Sequence, residues 1–258
     1  MITPPAPPAR EVASADGVTI ATYEFGEPND PPALLVHGFA SSGLLNWRNS
    51  GWVRDLLRAN HRVIAIDQRG HGASTKPHAP EAYSMDLLVA DVQNVIDAYQ
   101  LDEVDYVGYS LGARVGWHAA LTLPKRIHRL VLGGIPGGDP LSRFNTQQAR
   151  AFIASGTPIA DQLTSTYITM AAGIPGNDLQ ALVSLVEGMR GGTEPDPANP
   201  PGQPALFATG SEDPIVEGSR MLAAAAPHGQ FFEIPGRGHF NAPTARGFRD
   251  AATRFLAR

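Results

Sequence analysis

The chain has 258 residues, enough for one large α/β domain with a substantial core or for two small domains. Its 20 Lys and Arg against 25 Asp and Glu give a formal net charge of −5, so it lacks the basic footprint that binding to nucleic acid or an anionic membrane requires. With no cysteine there is no disulfide framework, no thiolate nucleophile and no cysteine metal site, and covalent catalysis must fall to another side chain.

Taken in chain order, residues 1–10 carry Pro4, Pro5, Pro7 and Pro8 without an apolar run. They read as a loose, Pro-rich tail and not as a secretory signal. No apolar stretch reaches the roughly 20 residues that span a bilayer, so a soluble, cytoplasmic protein is expected. Residues 11–14 and 18–25, joined through Asp16 and Gly17, predict an antiparallel hairpin. From Ala33 the pattern changes to short, nearly continuous apolar runs at 33–36, 63–66, 104–107, 130–132 and 205–208. Strands buried on both faces read this way. Helical stripes lie between them, as at 85–99, where Leu88, Val92, Val95, Ile96 and Tyr99 share one side. Such alternation predicts right-handed crossovers and a mostly parallel sheet with helices on both faces.

The run at 104–107 leads into Gly108, Tyr109, Ser110, Leu111, Gly112. A serine between two glycines at a strand-to-helix turn is the spacing of a nucleophile elbow: the positions two before and two after must lack bulk where the chain reverses. Gly112, Gly116 and Ala120 then recur every fourth residue, a nearly bare stripe that lets the following helix lie close to the sheet. After the sixth predicted strand the alternation stops. Residues 136–203 form a helix-rich insertion, with one helix marked by Leu179, Leu182, Val183 and Val186 and another by Leu163, Tyr167 and Met170. Its ends are rich in turn residues (Pro136, Gly137, Gly138; then Gly191, Gly192, Pro195, Pro197, Pro200, Pro201), as a hinged cap would require. The core is thus expected at 1–135 and 204–258, with a short helical cap at 136–203. A helix at 216–225, a strand at 231–234 and a final helix from about Pro243 complete the chain.

A serine at neutral pH needs a base to take its proton and an acid to orient that base. Asp213 follows the 205–208 run within Gly210, Ser211, Glu212, Asp213, Pro214, and His239 follows the 231–234 run within Gly236, Arg237, Gly238, His239, Phe240. Both therefore fall at the C-terminal ends of strands, where ligand sites of open α/β sheets gather. Glu212 and Asp139 are the other candidate acids. Two N–H donors must meet the oxyanion. The backbone N–H of Leu111 and that of Phe39, in the turn His37, Gly38, Phe39 after the 33–36 run, are the candidates.

His37 and His71 are expected to hydrogen-bond loop backbone, and His118 to be an interior helix histidine. Asp67 with His71 lacks a third partner for a metal ion, so no metal and no cofactor is expected. Trp47 and Trp117 fit either core or pocket wall, and Arg126 with Arg129 a solvated face.

These segments together resemble the α/β-hydrolase fold family over about residues 18–256: the HGF turn at His37, DQRGHGAS from Asp67, GYSLG around Ser110, GSEDP from Gly210 and GRGHF from Gly236. Two departures stand out: Ala113 where many relatives have a second glycine, and the shortness of the cap. The resemblance implies a serine hydrolase with the order Ser110, Asp213, His239, acting on a carboxylic ester or lactone as its small-molecule partner. It also implies alternatives among triad-bearing relatives: perhydrolase, carbon–carbon bond hydrolase, hydroxynitrile lyase, or a ligand receptor that keeps the pocket without turnover. Epoxide hydrolases and dehalogenases of the family usually place Asp where Ser110 stands.

Overall fold

The computed structural model describes residues 4–257; the first three residues of the proline-rich tail lie outside that range. Its centre is one eight-stranded sheet: β1 (Arg10–Ala13), β2 (Thr19–Phe25), β3 (Pro32–Val36), β4 (Arg62–Ile66), β5 (Val104–Tyr109), β6 (Ile127–Gly133), β7 (Ala205–Gly210) and β8 (Gly229–Ile234). The spatial order is β1-β2-β4-β3-β5-β6-β7-β8. The first hairpin and the β2–β4 pairing are antiparallel, and the remaining neighbours are parallel. The expected strands are all present, several of them longer than the apolar runs that mark them. In β6, for example, the predicted run is preceded by Ile127 and Arg129, which pair with Val104 and Asp105 of β5, while the exposed His128 is bulged out between them. Ladder bonds extend a strand past its apolar stretch because backbone groups need partners whatever the side chain.

Helices α2 (Met85–Ala98), α3 (Leu111–Thr122) and α7 (Val216–Ala225) pack on one face of the sheet, sharing a core with Val36, Tyr106 and Leu132. Helices α1 (Trp52–Arg58) and α8 (Arg246–Leu256) cover the other, with Trp47, Trp52, Val107 and Phe248 between. Trp47 and Trp117 are both fully buried, so both are core. The bare stripe of α3 meets the sheet as its spacing demands. A Cβ on Gly112 would sit 2.1 Å from the Val36 carbonyl oxygen, and one on Gly116 would sit 2.3 Å from the Tyr106 ring. Ala113 is fully buried in that same packing, so the departure from a second glycine is accommodated. The final helix begins three residues later than expected, because Pro243 lies in a short 3₁₀ turn (Ala242–Thr244) that precedes α8.

Between β6 and β7 the chain leaves the sheet for α4 (Thr146–Ser155), α5 (Gln162–Ala172) and α6 (Leu179–Met189). Periodicity anticipates α5 and α6. It misses α4, whose sequence is too polar to leave a stripe and whose start is fixed instead by Asn145, which accepts from the Gln148 N–H at 3.0 Å. Phe144, Ala149, Ile168, Val183 and Val186 give these helices a core of their own. The group is fastened to the sheet domain at defined points. Asn177 Nδ2 donates to the Ala40 carbonyl at 2.9 Å, and the Ser184 hydroxyl donates to the His78 carbonyl at 2.5 Å. Gly188 lies so close to the 80–83 turn that a Cβ there would meet the Pro80 carbonyl at 2.1 Å. Among the described residues no helix is long and apolar enough to cross a membrane.

Candidate active site

Ser110 stands between β5 and α3 with φ 53° and ψ −112°, a left-handed conformation that a side-chain-bearing residue adopts only under constraint. The constraint is visible in its neighbours. A Cβ on Gly108 would meet the Gly112 carbonyl at 2.4 Å, so strand end and helix start touch backbone to backbone. Tyr106 adds a bond from its hydroxyl to the Gly112 carbonyl at 2.7 Å. The effect is to lift the Ser110 hydroxyl off the sheet at the start of a three-turn helix, where free N–H groups and the positive dipole end converge.

Asp213 and His239 arrive on two turns locked together. Gly210, at the end of β7, lies so near the other turn that a Cβ on it would overlap the Arg237 carbonyl, which also accepts from the Glu212 N–H at 3.0 Å. Asp213 is buried and its Oδ2 is 2.7 Å from His239 Nδ1; His239 Nε2 is 2.9 Å from Ser110 Oγ. A carboxylate only accepts, so the proton sits on Nδ1 and Nε2 is left free to accept from the serine. Glu212 is exposed and Asp139 caps its own turn by accepting from the Leu141 N–H, so neither competes for the histidine.

The HGF turn lies alongside. The Cβ position of Gly38 is 3.2 Å from Ser110 Cβ, and Phe39, the next residue, lines the same cavity as Ser110. Behind this turn the two buried histidines act on backbone, as expected. His37 Nε2 accepts from the Gln68 N–H at 3.1 Å, and His71 Nε2 accepts from the Ala40 N–H at 3.0 Å. Burial pulls both imidazoles down, His37 to about 4 and His71 to about 3, with the neighbouring His37 a further influence on the second. Asp67 is occupied by the Gly43 and Ala73 N–H groups, each at 2.7 Å, and by the Tyr23 hydroxyl at 3.1 Å. It braces two loops, and the described residues contain no cluster of three or more metal-ligating side chains.

Three further residues that the sequence shows only as members of a motif or of a helical stripe touch the site. Tyr109, in the unconstrained position of the elbow, donates its hydroxyl to the His239 carbonyl at 2.5 Å and lies under that imidazole, ring centroids 5.5 Å apart. Burial holds this phenol well above its ordinary range, so it stays a donor. Tyr167 descends from α5 to contact Phe39 and Phe240, centroids 5.9 and 5.8 Å away. Phe240 follows the histidine and is 57% exposed, unusual for a phenylalanine. Only a long-range contact gives any of them a role, and periodicity carries no such contact.

A family model described as "alpha/beta hydrolase fold" matches residues 31–158. The chain belongs to the α/β-hydrolase fold family. Among curated relatives it is 32% identical over 145 residues to epoxide hydrolase A of Mycobacterium tuberculosis, an overlap covering 56% of this chain and 43% of that protein. The chain thus matches less than half the length of that relative. Among solved structures, a hydrolase from Pseudomonas aeruginosa superposes with a TM-score of 0.78 at 23% identity, covering 97% of this chain and 98% of the other. The enol-lactonase from Burkholderia xenovorans superposes at 0.74 with 21% identity, covering 96% of this chain and all of the other. At such identities the superpositions speak for the fold, and the placement of the α/β-hydrolase elbow, acid and histidine turns rests on the geometry above.

Proposed function

We propose that this α/β-hydrolase-fold chain cleaves a carboxylic ester or lactone of a small, largely apolar substrate through an acyl-enzyme. Ser110 Oγ attacks the acyl carbon while His239 Nε2 takes its proton. The tetrahedral oxyanion is met by the Phe39 and Leu111 N–H groups, each worth roughly 3 kcal/mol of barrier in comparable sites. His239 returns the proton to the departing alkoxide as the C–O bond breaks, and water repeats the sequence to release the acid. Asp213 holds the imidazole in its Nδ1–H tautomer and stabilises the imidazolium.

The observation that carries this reading is the unbroken line of hydrogen bonds from Asp213 through His239 to Ser110, at 2.7 and 2.9 Å. Epoxide opening, the activity named for the curated relative, proceeds in this family from a carboxylate, and a serine occupies that position here. The cavity beside Ser110 holds about 320 Å³ and its lining is mostly apolar, which suits a small neutral substrate. Replacing Ser110 by Ala is expected to lower turnover of a short p-nitrophenyl ester on the order of a millionfold. Undiminished turnover by that variant contradicts the proposal. A receptor that retains the pocket would bind a ligand unaltered and leave Ser110 unlabelled by a fluorophosphonate.

A further inference from the structure

The site is divided. The cavity that contains Ser110 and the HGF turn ends among Met170 and Ile174 of the cap. A second cavity, of about 550 Å³, opens on the far side of His239, between Leu163 of α5 and Pro214 and Ile215 beyond the acid. The linings of the two share just three residues, Tyr167, His239 and Phe240. Tyr167 and Phe240 stand ring edge to ring face with centroids 5.8 Å apart, and Phe240 is stacked the same way on His239 at 5.7 Å. The wall between the chambers is therefore an aromatic pair built from the cap and from the histidine turn.

We propose, resting on the acyl-transfer reading above, that the substrate is an open-chain ester with its acyl group in the Ser110 chamber and a bulkier apolar alcohol in the chamber beyond His239. The acyl carbon must reach Ser110 Oγ with its oxygen toward Phe39 and Leu111, which places the acyl group with the HGF turn. The leaving oxygen must take its proton from His239 Nε2, so the alcohol departs past the histidine, toward the larger space. Neither lining contains Lys or Arg, and the one carboxylate among them, Asp213, is spent on His239. Both halves of the substrate are accordingly neutral. A lactone ties the two halves together and can fill only one chamber at a time. Tyr167 and Phe240 are then the residues that set specificity, by keeping the two halves apart.

The test fills one chamber at a time with residues that touch none of the reacting groups. Ile174→Trp narrows the first chamber and Leu163→Trp the second. The substrates are two ester series: acetates of alcohols from ethyl to octyl, and ethyl esters of acids from acetate to octanoate. Ile174→Trp is expected to lower kcat/KM at least tenfold for the long acids and leave the long alcohols within twofold. Leu163→Trp is expected to do the reverse, each effect being read as kcat/KM for the long members relative to ethyl acetate in the same variant. A crossed result, an equal effect of each variant on both series, or simple lactones outrunning every open-chain ester overturns the assignment. If instead the wild type turns over no ester or lactone and a fluorophosphonate leaves Ser110 unlabelled, it is the acyl-transfer reading that fails.

Discussion

The floor and the roof of this site are built on different physics. The floor consists of turns at the C-terminal ends of β3, β5, β7 and β8, where backbone meets backbone so closely that Gly108, Gly112 and Gly210 admit no side chain. Its geometry is over-determined, and that is what holds Ser110 at φ 53°. The roof is three helices, each with a side-chain N-cap, resting on a small apolar core. Its position depends on side-chain packing and on a handful of bonds to the domain below. A floor of this kind fixes a reaction, while a roof of this kind sizes a substrate.

The contrast predicts unequal tolerance of change. Gly112→Ala pushes a methyl group into the Val36 carbonyl, which belongs to the central sheet and cannot yield. A loss of about 3 kcal/mol in denaturant unfolding is expected, together with about a hundredfold lower kcat/KM as the elbow moves away from the HGF turn. Wild-type stability in this variant breaks the comparison, since the floor would then be as forgiving as the roof.

Acid should also attack the floor. His37 and His71 lie folded at about 4 and 3, against an ordinary value near 6.5, because burial disfavours their charged forms. Between those limits the unfolded chain binds protons that the folded one does not, so stability falls as pH drops from about 6.5 toward 4. Protonation also strips Nε2 of the lone pair that receives the Gln68 or Ala40 N–H. A urea midpoint that declines steadily through this window is expected, and a flat one means the two histidines titrate as if exposed. The smallest effect belongs to the roof. Asn145→Ala removes the cap of α4 at a cost of about 1 kcal/mol, and turnover of the smallest ester should change by less than twofold in a steady-state assay.

The same contrast explains what the sequence made legible. The eight strands and the Ser110, Asp213, His239 order could be read because buried parallel strands are continuous apolar runs and a turn with no room for Cβ must be written in glycine. Strand ends were less legible: the ladder continues past the apolar run, as at Ile127 and Arg129 in β6. The wall between the chambers was not legible at all. Tyr167 and Phe240 are 73 positions apart, and their contact is set by how α5 lies over the histidine turn. In α4 a polar sequence hides the helix, because Phe144 and Ala149 bury against α5 and α6 without a full apolar stripe. Tyr109 escaped for another reason: the elbow places no demand on that position, and its bond to the His239 carbonyl appears only once the two turns are folded together.

The proposed chemistry depends on Ser110 being a nucleophile activated by His239. Its most direct test is mass spectrometry of the whole chain after exposure to a fluorophosphonate, followed by peptide mapping. A single adduct on Ser110 is expected, formed rapidly in the wild type and slowed by at least a thousandfold when His239 is replaced by Ala. An unlabelled Ser110 in a protein that still turns over esters, or an adduct that forms as fast without the histidine, would contradict it.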